Sequence, residues 1–240
     1  MTYFLTSCTV IPGTHDLNPA NGFVETLASC LPQRPLRGLY LASDPTDYAC
    51  NDLYGGADRL SFENAGWTFS DYQIFDARNT GDLGQLIRRA DLVILAGGHV
   101  PTQQHFFASI SLRTALAHYS GVLVGISAGS MNSAELVYAQ PERPGEAKDP
   151  AYQRFLPGLG VTKVNLLPHY NVVKDDMLDG LRIYEDITLG DSWGCVFYAI
   201  HDGSYLYGSG DAAVLRGEAY RICDGVITQV SAQNQEIRLP

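Results

Sequence analysis

The sequence predicts an α/β protein, a three-layer α/β/α sandwich built around a mostly parallel sheet. Through the first two thirds of the chain, apolar runs of strand length alternate with stretches whose apolar residues recur at helical spacing. That alternation is typical of a parallel sheet covered by helices on both faces. After about residue 160, strand-like runs follow one another across Asp-Gly and Gly-Ser turns, which predicts extra mixed or antiparallel strands in the last third.

Continuous apolar runs identify the strands that are buried on both faces. In the parallel part, the predicted strands cover residues 3–6, 38–43, 91–96 and 121–126. Helical spacing predicts helices over residues 22–31, 83–90 and 105–119. In the last third, the predicted strands cover residues 161–167, 196–200, 204–206, 212–215 and 226–230.

The chain is expected to form a single domain over residues 1–240. Its 240 residues are 45% hydrophobic and 18% charged, enough for one sizeable core. The segment 140–150 is polar and rich in proline, but the strand that follows it must return to the same core. We therefore predict a surface loop there, rather than a linker between domains.

Composition also limits the partners and the location of the protein. There are 16 Lys and Arg against 26 Asp and Glu, and the net charge of −10 disfavours nucleic acid and anionic membranes as main partners. No apolar stretch reaches the roughly 18 to 20 residues of a spanning helix, and the first residues lack the basic segment of a signal peptide. We expect a cytoplasmic protein that is a monomer or a homodimer.

The sequence predicts neither a metal nor an organic cofactor. Its five cysteines are far apart and form no C-x-x-C pair, which argues against a disulfide framework and a cysteine-based zinc site. Phosphate-binding glycine loops and the H-E-x-x-H motif are missing from the sequence.

The strongest functional signal is the G-x-S-x-G segment Gly125-Ile126-Ser127-Ala128-Gly129. It lies directly after a predicted buried strand and before a plausible helix, which is the context of a nucleophile elbow. A serine on such a sharp turn needs small neighbours, and the segment supplies them. The turn also directs backbone N–H groups towards the carbonyl that Ser127 would attack, so the N–H of Ala128 is a candidate oxyanion donor.

A second glycine turn, Ala96-Gly97-Gly98-His99, ends the preceding predicted strand. The carboxyl ends of parallel strands meet at one edge of a sheet, where ligands bind. Glycines at this edge allow a main-chain N–H to approach a substrate closely. We therefore predict a second oxyanion donor in this turn, with Gly97 and His99 as candidates for substrate binding.

A serine nucleophile needs a base, and the chain offers six histidines: His15, His99, His105, His118, His169 and His201. Context favours His169, which follows a predicted strand ending in proline, only slightly over His201. A third group must orient the histidine, and the candidates are Asp202, Asp191 and Glu185. Asp202 is the best placed of these, because it opens a turn at the end of a predicted strand.

Four segments together resemble the serine peptidases of family S51, which include dipeptidase E (aspartyl dipeptidase) and cyanophycinase. The segments are Leu95-Ala96-Gly97-Gly98, Gly125-Ile126-Ser127-Ala128-Gly129-Ser130, Leu167-Pro168-His169-Tyr170 and Ile200-His201-Asp202-Gly203-Ser204. The resemblance covers roughly residues 36 to 215. It implies a class I glutamine amidotransferase-like fold, with Ser127 as nucleophile, His169 as base, and Gly98 and Ala128 as oxyanion donors.

The chain departs from the family pattern at two positions. His99 stands where members commonly carry Asn, and Asp202 stands where cyanophycinase-like members usually place a glutamate. Aspartyl specificity, which the resemblance implies, also needs a cation for the substrate carboxylate. Lys163, Lys174 and Arg182 are the candidates for that role.

Two alternatives belong to other classes of function. An α/β-hydrolase esterase places its acid before its histidine, an order that Ser127, Asp175 or Asp191, and His201 would satisfy. A catalytically silent relative would keep the pocket and bind a small molecule. We expect a serine peptidase of small peptides that uses Ser127, His169 and Asp202, with an Asp-Xaa dipeptide as a candidate substrate.

Overall fold

The computed structural model describes residues 1–209 and 212–239 of the chain. Its strands, in chain order, are β1 (Thr2–Thr6), β2 (Leu36–Leu41), β3 (Phe69–Phe75), β4 (Leu92–Leu95), β5 (Val122–Ile126), β6 (Leu136–Tyr138), β7 (Phe155–Pro157), β8 (Asn165–Leu167), β9 (Met177–Leu178), β10 (Leu181–Arg182), β11 (Val196–Ile200), β12 (Tyr205–Ser209), β13 (Ala212–Arg216), β14 (Ala219–Cys223), β15 (Val226–Ser231) and β16 (Glu236–Leu239).

The helices lie mostly between the parallel strands. They are α1 (Phe23–Cys30), α2 (Tyr48–Asn64), α3 (Leu83–Arg89), α4 (Val100–Ser109), α5 (Leu112–Leu116), α6 (Ala128–Asn132), α7 (Tyr170–Val173) and α8 (Leu189–Asp191), with a 3₁₀ turn at Ala20–Gly22 and a π-helix at Ile183–Thr188. In the described part of the chain, no helix is long and apolar enough to cross a membrane.

The main sheet has the strand order β16-β13-β12-β1-β5-β4-β2-β3. Strands β1, β5, β4, β2 and β3 run parallel, whereas β12, β13 and β16 continue the sheet in antiparallel pairing. Strand β1 stands at the junction, parallel to β5 on one side and antiparallel to β12 on the other. The predicted fold class, a mostly parallel sheet with extra strands from the last third, is confirmed.

Helices cover both faces of the main sheet, which produces the three layers. Successive side chains of a strand point to opposite faces, and β1 shows the consequence. Phe4 packs in one core with Phe23 of α1 and Phe62 of α2, while Leu5 packs in the other with Ile87 of α3. Helices α4 and α5 join the second core.

A second sheet, of order β15-β14-β11-β8, stands beside the main one. Strands β8 and β11 are parallel, and the other pairs are antiparallel. A third core lies between this sheet, α6 and the β6–β7 hairpin. Tyr138 and Phe197 stack in that core with ring centroids 4.3 Å apart.

Several predicted elements have different limits in the structure. The predicted helix 105–119 is two helices, because Ser111 adopts a left-handed conformation (φ 52°) between α4 and α5. The predicted strand 161–167 shortens to β8, and the segment 140–150 is irregular, as expected of a loop. The sequence did not predict helix α2, because its buried residues form no apolar stripe. They are Asn51, Gly55, Ser61 and Phe62.

Helix α2 also carries an acid in an apolar setting. Burial raises the pKa of Asp58 to about 7, although a hydrogen bond with the Thr9 hydroxyl acts in the opposite direction. Two tyrosines of the neighbouring strands, Tyr40 and Tyr72, lie within range of its charge, and their own pKa values are raised first by burial and then by Asp58. Asp58 is therefore costly to ionise in the folded protein.

The raised pKa of Asp58 predicts that the stability of the protein depends on pH. Because the pKa of Asp58 is raised on folding, its contribution to stability is complete below its unfolded pKa and is lost as the pH rises towards 7. We expect the free energy of unfolding of the wild type to fall by on the order of 3 kcal/mol between pH 4 and pH 8 because of Asp58. Asp58→Asn should not show this fall. Urea unfolding of both proteins across that range measures the difference, and parallel curves would contradict the prediction.

Candidate active site

Four neighbouring strands of the main sheet end at the same edge. Ser7 follows β1, Ser127 follows β5, the segment 96–98 follows β4, and Ser43 is two residues past the end of β2. These strands are parallel neighbours, so their carboxyl ends meet there. The G-x-S-x-G segment and the second glycine turn thus lie side by side, as the sequence predicted.

Ser127 occupies a sharp turn between β5 and α6. Its backbone has φ 49° and ψ −110°, an unfavourable conformation for a residue with a side chain. The Ser127 N–H donates to the carbonyl oxygen of Thr6 at 2.9 Å, which anchors the turn to β1. Ser127 is half-buried, so its side chain is accessible to a ligand.

The glycines around Ser127 are required by close packing. A Cβ on Gly129 would lie against the backbone of Leu95 in β4, and a Cβ on Gly125 would come within 2.9 Å of the Leu5 side chain. The elbow therefore fits between β1 and β4 only with these small residues, as the sequence predicted.

The second glycine turn lies against Ser127. A Cβ on Gly97 would stand 3.5 Å from the Cβ of Ser127. Gly98 has φ 148°, and a side chain there would overlap Ser43. Gly98 is exposed, so its backbone is open to a substrate at this edge.

Two N–H groups remain free beside Ser127. Among the described residues, neither the N–H of Gly98 nor that of Ala128 donates a hydrogen bond to another protein group. Ala128 begins α6, where the first N–H groups of a helix lack partners within the helix. Both groups are thus available to an oxygen that develops negative charge.

His169 and Asp202 come from the second sheet. Each follows a strand by two residues, His169 after β8 and Asp202 after β11, and these strands are parallel neighbours. The His169 Nδ1 lies 2.7 Å from the Asp202 Oδ1. The sequence placed the two residues at strand ends, and the parallel pairing brings their side chains into contact.

The charge of Asp202 fixes the state of the imidazole. Burial alone would raise the pKa of Asp202, but the hydrogen bond from His169, the charge of His169 and the Asn171 side chain together lower it below its usual value. An ionised carboxylate only accepts hydrogen bonds, so Nδ1 carries the proton in neutral His169. Nε2 then holds the lone pair that a general base uses.

Sequence reasoning missed Thr6 and Ser7, two buried residues at the end of β1. The Thr6 carbonyl holds the Ser127 N–H, and the Ser7 hydroxyl accepts from the His169 N–H at 3.1 Å. The last residue of β1 and the residue that follows it therefore contact the backbones of Ser127 and His169. No local pattern marks Ser7, because its contacts are with distant parts of the chain.

His99 joins the glycine turn to the loop 140–146. Its Nε2 lies 2.8 Å from the Glu146 Oε1, and its Nδ1 lies 2.7 Å from the Thr102 hydroxyl. The second oxygen of Glu146 accepts the N–H groups of Glu142 and Arg143. Both ring nitrogens of His99 are thus engaged within the protein, and its predicted role in substrate binding, like that of Gly97, stays a prediction.

The alternative histidine has a different partner. The His201 Nδ1 lies 3.3 Å from Glu218, whose other oxygen accepts from the Tyr220 hydroxyl. The structure does not bring Asp191 to either histidine, since that carboxylate accepts from the Tyr138 hydroxyl at 2.7 Å. Glu185 is exposed on the π-helix.

The three candidate cations are not assembled into a site. Arg182 forms an ion pair with Asp186, while Lys163 and Lys174 are exposed. Sequence reasoning did not single out Arg143, whose charge contributes to the lowered pKa of Asp44, three residues past the end of β2, after the larger effect of hydrogen bonds from Thr46.

Comparison with protein families identifies the chain. The family model described as peptidase family S51 matches residues 47–216, more than two thirds of the sequence. The chain belongs to peptidase family S51. The match includes both glycine turns and the positions of Ser127, His169 and Asp202. The resemblance that the sequence motifs indicated is confirmed, and this S51 protein is a peptidase.

Solved structures share the fold of this S51 peptidase. A crystal structure of a peptidase from an acI-B1 Actinobacterium superposes with a TM-score of 0.65 at 16% identity, covering 99% of this chain and 96% of that one. A putative peptidase E from Listeria monocytogenes EGD-e gives 0.62 at 14% identity, with 96% and 98% covered. No curated protein sequence matches the chain significantly.

The close packing of the elbow gives a prediction for this S51 peptidase. Gly129→Ala places a Cβ against the carbonyl group of Leu95, where the backbone of β4 cannot yield easily. We expect a loss of about 1–3 kcal/mol in the free energy of unfolding. Gly56→Ala is the matched control, because a Cβ on that exposed position of α2 meets nothing within 4 Å. Equal stability of the two variants in urea would contradict the prediction.

Proposed function

We propose that the protein is a serine peptidase of small peptides, with Ser127 as nucleophile, His169 as general base and Asp202 as the residue that orients His169. The observation that carries this proposal is the 2.7 Å contact between His169 and Asp202, whose histidine is hydrogen-bonded to Ser7 at the edge of the main sheet where Ser127 stands on its strained turn. Membership of peptidase family S51 supports the serine peptidase class.

In the proposed reaction, Ser127 Oγ attacks the peptide carbonyl while His169 Nε2 takes the hydroxyl proton. The carbonyl oxygen gains negative charge and receives the N–H groups of Gly98 and Ala128. His169 then gives the proton to the leaving amine, and an acyl-enzyme forms on Ser127. Water, deprotonated by His169, attacks the acyl group and releases the acid product.

Asp202 takes part in these reaction steps through its charge. It holds the proton of His169 on Nδ1 before the attack and stabilises the imidazolium afterwards. The Asn171 side chain accepts from the Asp202 N–H at 2.8 Å, so α7 fixes the acid as well as the histidine that precedes that helix. Aspartate thus occupies the position where the glutamate of cyanophycinase-like relatives is expected.

The esterase alternative is supported less well. It requires Asp175 or Asp191 to orient His201, whereas His201 pairs with Glu218 and Asp191 with Tyr138. A silent binding relative would need no histidine oriented by an acid. It would also have no use for two free N–H groups beside a half-buried serine.

The substrate class is proposed from the net charge of the protein. The net charge of −10 opposes the approach of a polyanion, and a short peptide is therefore the favoured substrate. An Asp-Xaa dipeptide remains our candidate, and Arg143 joins Lys163, Lys174 and Arg182 as a possible partner for its carboxylate.

Substitution of the triad tests the mechanism. We expect Ser127→Ala to abolish turnover and Asp202→Asn to lower kcat by roughly 10⁴-fold, because the amide no longer fixes the tautomer of His169. His169→Ala should be inactive as well, while His201→Ala keeps most of its activity. Peptide hydrolysis and labelling by a fluorophosphonate measure these effects.

The same variants separate the alternatives. Loss confined to His201→Ala would favour the esterase, and a wild-type protein that no fluorophosphonate labels would favour the silent relative. Peptidase activity retained in Ser127→Ala would contradict the proposal. Circular dichroism of each variant controls for folding.

Specificity is tested with a panel of X-Leu dipeptides in which X covers every residue type. We expect cleavage of Asp-Leu by the wild type and none by Ser127→Ala, since the side-chain carboxylate would pair with a cation at the sheet edge. Chromatography of the released leucine measures the rates. Cleavage of other members at equal rates would contradict Asp-Xaa specificity but not the serine mechanism.

A further inference from the structure

Ser7 is a fully buried serine at the end of β1, and the proposed reaction assigns it no role. Its hydroxyl accepts a hydrogen bond from the His169 N–H at 3.1 Å. The same oxygen lies 3.4 Å from the carbonyl oxygens of Ile200 and His201, to which it donates. One side chain therefore contacts both segments that carry the histidine and acid of the proposed triad.

The neighbouring residue completes the link to the nucleophile. The Thr6 carbonyl accepts from the Ser127 N–H at 2.9 Å, and the Thr6 hydroxyl donates to the Gly125 carbonyl at 3.0 Å. The end of β1 is thus in contact with Ser127 on the main sheet and with His169 and His201 on the second sheet. Ser7 thus forms hydrogen bonds between the two sheets at this edge.

The backbone of His169 gives the hydroxyl a specific task. His169 has φ 60° and ψ 24°, a left-handed conformation that a residue with a side chain adopts rarely. Its N–H points at Ser7, whose side chain is closed to water. An acceptor at this place stabilises the turn that directs the imidazole to Asp202, because a buried N–H without a partner is unfavourable.

We propose that Ser7 is a positioning residue, which holds the His169–Asp202 pair in register with Ser127. The inference rests on the proposed function, since it presumes that these three side chains react together. The Ser7 hydroxyl acts on the reaction only through His169 and the 200–202 segment. Small displacements of a base from its nucleophile lower rates steeply, by about 10²-fold for about 1 Å.

The test compares three substitutions of Ser7. Ser7→Ala removes the hydroxyl, Ser7→Cys keeps a side chain of similar size with a much weaker acceptor, and Ser7→Thr keeps the hydroxyl. Ser61→Ala is the matched control, because Ser61 is equally buried and its hydroxyl donates to the Asp58 carbonyl in α2, away from the site.

The readout is the labelling of Ser127 by a fluorophosphonate, which needs no knowledge of the natural substrate. We expect the limiting rate constant to fall about 10- to 100-fold in Ser7→Ala and Ser7→Cys, with the half-saturating probe concentration nearly unchanged. Ser7→Thr should label faster than either. Ser61→Ala should label at the wild-type rate even where its melting temperature falls as far as that of Ser7→Ala.

Two outcomes overturn the inference. A folded Ser7→Ala or Ser7→Cys that labels at the wild-type rate shows that the hydroxyl does not position the base. A Ser7→Thr as slow as Ser7→Ala assigns the loss to packing instead. If Ser7→Ala does not fold, Ser7→Cys carries the test, since it leaves the volume of the site nearly unchanged.

Failure of the proposed function has a different signature. In that case the wild type is not labelled, or Ser127→Ala is labelled equally. The labelling rates of the Ser7 variants are interpreted only after wild-type labelling has been shown to depend on Ser127. Slow labelling of Ser7→Ala together with normal labelling of Ser61→Ala then supports the positioning role.

Discussion

The hydrogen bonds at the end of β1 connect the turn of Ser127 to the turn of His169. Strand β1 stands where the parallel and antiparallel parts of the main sheet meet, and both of its neighbours are paired along their length. A strand held in this way cannot shift along its axis without breaking two ladders. Thr6 and Ser7 therefore provide a fixed reference for the strained turn of Ser127 and for the turn of His169.

The residues of the proposed mechanism come from two sheets. The main sheet supplies Ser127 and the glycine turn, whose backbone N–H groups face the reacting carbonyl in the proposed mechanism. The second sheet supplies His169 and Asp202 from equivalent positions after parallel strands. The contact between His169 and Asp202 is therefore made within one sheet, and the position of this pair relative to Ser127 depends on contacts between the sheets. Apolar side chains of both sheets, among them Leu5 and Ile200, pack in one core, and the Ser7 hydroxyl adds hydrogen bonds at the edge where the triad residues lie.

The sequence predicts those parts of the fold and site that have a local signature. The strands of the parallel core, the elbow at Ser127 and the glycine turn before His99 are all read from short segments. Helix α2 was missed because it buries polar and small residues, and β3 because most of its residues are only partly buried. Ser7 could not be found, since its partners lie more than 160 positions away in the chain.

Strain at this edge coincides with the residues that the proposed mechanism needs. Ser127 and His169 both have positive φ values, which cost on the order of 1–3 kcal/mol each, and glycine would relieve that cost at either position. Glycine could act neither as nucleophile nor as base, so the proposed chemistry excludes the residue that suits the backbone. The strain must then be offset by the surroundings. The N–H groups of these two strained residues donate hydrogen bonds to the end of β1, from Ser127 to Thr6 and from His169 to Ser7. The end of β1 therefore stabilises both strained turns.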